Sequence, residues 1–165
     1  MNKNNRWLAI VNLLSGSGRC GRDWERIAKM LYSRGIDFDT VFTGHRYHAI
    51  ELARRGIVED GYRNLIAIGG DGTVHEVANG ILLQQEVPST EIRMGIIPVG
   101  TGNDWIRTFG IPRDYLKAVD IIAAGKPCCL PPLTQKSRGS FSHRTGLGKE
   151  IKLPSFPSLV HTPAL

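Results

Sequence analysis

The chain is predicted to be an α/β protein, a three-layer sandwich built on a mostly parallel, Rossmann-like sheet. Three features carry that prediction. Short apolar runs alternate with segments whose apolar residues recur at helical spacing. The run Leu65-Ile66-Ala67-Ile68 is wholly apolar, as a strand covered on both faces must be. Glycine-rich stretches fall at the carboxyl ends of the apolar runs, where open parallel sheets bind their ligands.

The first strand is Trp7–Val11, an apolar run closed by Asn12 and by Ser15-Gly16-Ser17-Gly18. Residues 22–34 follow, with Trp24, Ile27, Ala28 and Leu31 on one helical face and Gly35 as the stop. Phe38–Phe42 reads as the second strand. Residues 47–57 read as the second helix, with Ile50, Ala53 and Ile57 on its buried side. The third strand, residues 65–68, leads within a few residues to Thr73-Val74-His75-Glu76. Those four fit a capping box, in which the Thr hydroxyl and the Glu carboxylate satisfy free donors of a helix start. Val74, Val77, Ala78 and Ile81 supply that helix with a buried stripe. Residues 94–99 form the fourth strand, with Pro98 near its end, and residues 111–124 contain a further helix.

A chain of 165 residues with 41% hydrophobic content buries one ordinary core, expected over residues 1–126. Residues 127–165 are rich in Pro, Ser and basic side chains and sustain no period, so poor order is expected there. The tail also makes the protein basic. Residues 1–126 hold 16 basic and 14 acidic groups, a balance of +2, whereas the tail holds five basic groups against Glu150, a balance of +4. Nucleic-acid binding needs clustered Lys and Arg interleaved with exposed aromatics, and no segment has them. The scattered tail charges leave peripheral contact with anionic membrane lipid as a secondary expectation. No apolar run approaches the roughly 18 residues of a membrane span, and residues 1–6 lead into a strand, not a signal-peptide core. A cytoplasmic protein is expected. Cys20, Cys128 and Cys129 are spaced for neither a disulfide framework nor a zinc site, so reduced thiols are expected.

The strongest local signal is Gly69-Gly70-Asp71-Gly72-Thr73, between a buried strand and a helix. Its glycines let the backbone turn tightly and let a bulky anion reach the amides, while the helix start adds free N–H groups and partial positive charge. A phosphate suits that place. A turn that only closed the chain has no need of an acid at its centre. Beside phosphates, Asp71 either holds a magnesium-bound water or accepts a hydroxyl proton. A second such loop is Pro98-Val99-Gly100-Thr101-Gly102-Asn103-Asp104, in which Asp104 either caps the next helix or faces the first loop. Gly16-Ser17-Gly18-Arg19-Cys20-Gly21 matches the dinucleotide fingerprint in form, but Thr43 stands where that site wants an acid. Arg22 and Asp23 likewise stand where a Walker A loop needs Lys and Ser/Thr. Ser15, Gly16 and Ser17 either serve a phosphate or form a solvated turn. His48 and His75 lack the partners of a catalytic triad or metal site, and metal ligands stay unassigned.

These residues resemble the catalytic domain shared by diacylglycerol kinases, sphingosine kinases and the bacterial lipid kinases. The likeness lies in residues 12–18, 43–54, 69–80 and 98–104, with the sequel Gly110-Ile111-Pro112, and covers about residues 6–126. Leu13 departs from the proline usual in that family. The resemblance implies an ATP-dependent lipid kinase, a transferase of phospholipid biosynthesis that uses ATP and Mg2+ to phosphorylate a lipid hydroxyl such as that of diacylglycerol. It implies a fold similar to the N-terminal domain of lipid kinases and of NAD kinase. It assigns the nucleotide to Asn12, Ser15, Gly16, Thr43, Gly69, Gly70, Asp71, Gly72, Thr73, Val74, His75 and Thr101, with Asp71 catalytic. In that family a following β-sandwich supplies the lipid groove, magnesium-organising acids and a base. The tail is too short to form one, so the second domain is expected to be missing and the chain alone to be impaired in turnover. A kinase acting on NAD and an inactive nucleotide-binding fragment are the alternatives. The second glycine loop and Gly110-Ile111-Pro112 favour the lipid branch.

Overall fold

A computed structural model describes residues 3–100 and 104–125, all within one contact unit, Met1–Cys128. The elements run β1 (Trp7–Val11), α1 (Arg19–Ser33), β2 (Phe38–Phe42), α2 (His48–Val58), β3 (Asn64–Gly69), α3 (Asp71–Leu83), β4 (Arg93–Pro98), α4 (Asp104–Phe109) and α5 (Tyr115–Ala123). Short 3-10 turns stand at Lys3–Asn5 and Ser89–Glu91. The four strands form a single sheet in the order β2-β1-β3-β4, and every neighbouring pair is parallel. No second sheet occurs among the described residues.

Successive side chains of a strand point to opposite faces, and this alternation divides the core in two. Ala9, Val11, Ile66 and Ile68 face Ile27 and Leu31 of α1 and Val119 and Ile122 of α5. Leu8, Ile10, Leu65 and Ala67 face α2 and α3 through Leu52, Ala53, Ile57, Val74, Val77 and Ile81. Helices therefore cover both faces, which is the three-layer α/β sandwich the sequence predicts. β3 is buried at every position, and that is why its sequence carries no polar alternation.

The chain passes from β1 through α1 on one face to β2, then returns through α2 on the other face to β3, on the far side of β1. The winding thus reverses between β1 and β3, and a crevice opens beyond their carboxyl ends. α2 and α3 pack in close contact. A Cβ added at Gly80 would stand 2.6 Å from the Ala53 Cβ and 2.7 Å from the Ile50 carbonyl oxygen, so only glycine permits this approach.

Several boundaries differ from the sequence reading. α1 begins three residues early, at Arg19, and β3 runs one residue further at each end. α3 winds directly out of β3 from Asp71, with Gly70 at the N-cap and no side-chain cap. The capping box expected at Thr73 and Glu76 is therefore not formed: Thr73 already lies inside the helix, and both side chains have other partners. Thr101 and residues 127–165 lie outside the described residues. Among the described residues no helix is long and apolar enough to cross a membrane.

Candidate functional site

The loop after β1 folds upon itself. Ser15 N–H donates to the Asn12 carbonyl at 3.1 Å and Gly18 N–H to the Leu14 carbonyl at 3.0 Å, while Gly16, Ser17 and Gly18 all take positive φ. Two side chains of this loop then reach the glycine-rich turn after β3. The Asn12 amide donates to Thr73 Oγ1 at 3.1 Å, and its oxygen accepts Leu14 N–H at 3.1 Å. Ser15 Oγ accepts Gly70 N–H at 3.2 Å. Both side chains brace the turn, across the crevice where the winding reverses.

The turn after β4 joins the same cluster. Asp71 Oδ2 accepts the N–H of Asp104 at 2.9 Å, so the first residue of α3 holds the start of α4. A Cβ on Gly16 would come within 3.5 Å of the Gly100 backbone. Turns from β1, β3 and β4 thus meet at one end of the sheet, and two carboxylates, Asp71 and Asp104, lie in that meeting place. Asp104 also stands 3.9 Å from Arg107.

The glycines of the β3–α3 turn differ in purpose. A Cβ at Gly69 would lie 2.5 Å from Thr73 Oγ1 and 2.9 Å from Ser15 Oγ, whereas one at Gly72 meets nothing within 4 Å. Gly69 makes room for the hydroxyls of the turn itself; Gly72 leaves the first turn of α3 open. A helix start leaves its leading N–H groups without intrahelical acceptors and carries partial positive charge, so an open helix start suits an anion.

Of the remaining candidates, Thr73 belongs to the cluster through its bond from Asn12, and the others are dispersed. Val74 is core: its side chain is 2% exposed and its N–H donates to the Gly70 carbonyl, so it presents neither group to a ligand. Thr73 is buried as well. His75 is half-buried beside Asn79, whose amide lies 3.1 Å from its ring. Thr43 follows β2 and is tied to β1 by its N–H, 2.9 Å from the Val11 carbonyl. Thr101 lies outside the described residues. His45, His48 and Glu51 hold their ligand atoms within 4.8 Å of one another. The two rings are stacked 4.4 Å apart at 11°, so their in-plane lone pairs run side by side and do not converge on an ion. His48 Nδ1 already accepts Gly44 N–H at 2.9 Å.

Sequence reasoning assigns Glu76 to the wrong helix. Its carboxylate accepts the N–H groups of Tyr47 at 3.1 Å and Ala49 at 3.3 Å, at the start of α2. Spacing from Thr73 marks Glu76 as a capping residue but does not say which helix it caps. One group of shifted ionisations lies behind the site, between α1 and α5. Burial, with Asp23 nearby, pushes the Cys20 thiol from 9.0 to about 11. Burial and then the bond to Asp23 push Tyr115 to about 12, and the Tyr115 hydroxyl in turn holds Asp23 below its usual range.

The family described as the diacylglycerol kinase catalytic domain matches residues 6–128. A diacylglycerol kinase of Bacillus subtilis (strain 168) is 50% identical over 117 residues, covering 70% of this chain and 37% of that protein. A diacylglycerol kinase of Staphylococcus saprophyticus subsp. saprophyticus is 47% identical over 116 residues, 70% of this chain and 36% of its own. A solved structure of a diacylglycerol kinase from Bacillus anthracis str. Sterne superposes with a TM-score of 0.63 at 28% identity, over 76% of this chain and 44% of that one. The chain therefore spans little more than a third of the length of these curated relatives. A match over residues 6–128, on a parallel sheet with its glycine-rich turns gathered at one end, makes this chain a member of the diacylglycerol kinase catalytic domain family.

Proposed function

We propose that this chain binds MgATP at the crevice between β1 and β3 and forms the donor half of a lipid kinase. The observation that carries this reading is the meeting of three strand-end turns around an open helix start at Gly72. The first turn of α3 receives the phosphates through backbone N–H groups. Asn12 and Ser15 keep that turn in shape, and Thr43 lies on the flank, after β2. Asp71 and Asp104 supply the oxygen donors that a hydrated Mg2+ prefers. Bound MgATP supplies the transferable phosphoryl group, with the metal offsetting phosphate charge. Asp71 serves either a metal-bound water or the proton of the acceptor hydroxyl, and it also fixes the start of α4.

The acceptor in this reading is the hydroxyl of a membrane lipid such as diacylglycerol, and the chain works at a bilayer surface, with the basic groups of residues 127–165 as the membrane contact. In this reading the described residues serve the donor side of the reaction, and the 165 residues assayed on their own are expected to bind ATP and to transfer phosphate weakly. Radiolabelled phosphate transfer from ATP to diacylglycerol tests this. Asp71→Asn is expected to lower the residual rate on the order of 100-fold. Turnover that survives Asp71→Asn contradicts the role given to Asp71, and vigorous Asp71-dependent turnover overturns the claim of impairment.

A further inference from the structure

We infer that Glu76 is a positioning residue for this cleft: its carboxylate fixes the start of α2, and with it the turn after Thr43, to the helix that carries the glycine-rich loop. The inference rests on the nucleotide-binding reading above. α2 has no cap of its own. Its N-cap is Tyr47, in the left-handed region at φ 65, with no side-chain hydrogen bond to the helix. The open donors there are met from α3 instead, by Glu76 Oε1 on Tyr47 N–H and Oε2 on Ala49 N–H. A negative charge at a helix start is also favoured by the helix dipole.

Glu76 and Gly80 are four residues apart and share one face of α3. Gly80 gives α2 its close approach through Ile50 and Ala53, and Glu76 fastens the same helix one turn nearer the cleft. The segment between β2 and α2 is held at three points: Thr43 N–H on Val11, Gly44 N–H on His48 Nδ1, and Tyr47 N–H on Glu76. Because Glu76 lies on the helix that opens with Asp71, Gly72 and Thr73, the turn after β2 and the turn after β3 move as one body. Glu76 acts through α2.

The test uses the full chain as parent, Glu76→Ala, Glu76→Gln and Tyr62→Phe. Tyr62 bonds Asp39 at the opposite end of the sheet, so Tyr62→Phe lowers stability without touching the cleft. MgATP affinity is read by calorimetry and the Tyr47 and Ala49 amides by hydrogen exchange. Glu76→Ala is expected to weaken MgATP about tenfold and Glu76→Gln, which keeps one carbonyl acceptor, about threefold, as the binding-competent fraction falls. Both amides lose protection in the Ala variant, and Tyr62→Phe binds as the parent does. Parent-like affinity in Glu76→Ala, or in Glu76→Gln should the Ala variant not fold, overturns the inference. So does an affinity loss in Tyr62→Phe equal to that of Glu76→Ala at matched thermal midpoint. A parent that does not bind MgATP instead overturns the nucleotide reading, and the amide protection still decides whether Glu76 caps α2.

Discussion

Gly69 and Gly72 stand three residues apart and lack side chains for opposite reasons, which substitution separates. At Gly69 a Cβ meets Thr73 Oγ1 at 2.5 Å and the Thr73 Cβ at 2.8 Å. Gly69→Ala is therefore expected to destabilise the fold by about 1–3 kcal/mol, the usual cost of overpacking, measured as a drop in the thermal midpoint. At Gly72 the added Cβ meets nothing within 4 Å, and Gly72→Ala in a helical turn is expected to leave stability unchanged or raise it by up to about 1 kcal/mol. The glycine-rich turns are legible in the sequence because three glycines and an acid between an apolar run and a helical stripe have few other uses. Asn12 and Ser15 are not legible as braces. A short polar side chain in a loop does not announce its partner, and theirs lie more than fifty residues away, at Thr73 and Gly70.

At the scale of elements, α1 and α5 close one face of the sheet around groups that keep their protons tightly. Cys20 and Tyr115 titrate at about 11 and about 12 in the fold, against ordinary values of 9.0 and 10.0. Unfolding frees both groups to ionise earlier. The unfolded chain therefore binds fewer protons above pH 9, and stability falls as pH rises. The contribution is fully present below the ordinary thiol value of 9.0 and is lost as pH climbs through the folded values near 11 and 12. Denaturant midpoints followed through that alkaline window should decline, and Cys20→Ala should flatten the earlier part of the decline. An unchanged slope in Cys20→Ala would contradict the thiol's part in it.

The strands are legible because their apolar runs are short and sharply bounded, and β1 and β2 fall on the predicted residues. The start of α1 is not. Residues 19–21 show one apolar side chain, Cys20, and a glycine, too little to establish a period although Cys20 is fully buried. α5 is narrower than the stretch in which it is expected, because Asp114 caps it by accepting Lys117 N–H at 3.0 Å.

For the whole molecule, alternation of strand and helix predicts the layers, but no period reports which strands are neighbours. The order β2-β1-β3-β4 follows from long-range packing: Leu65, Ile66, Ala67 and Ile68 need cover on both faces and on both edges, and the centre of the sheet provides it. That order places the reversal of winding between β1 and β3, and so brings residues 12–18 beside residues 69–73. The turn after β2 sits two strands from the turn after β3, about 10 Å away, joined to it through Glu76. Calorimetric titration of MgATP into the parent chain and into Gly72→Val tests the central claim most directly. The account predicts one site in the parent and none in Gly72→Val, whose circular dichroism and thermal midpoint stay close to the parent's. Equal binding by the two chains, or a well-folded parent that takes up no MgATP, would contradict it.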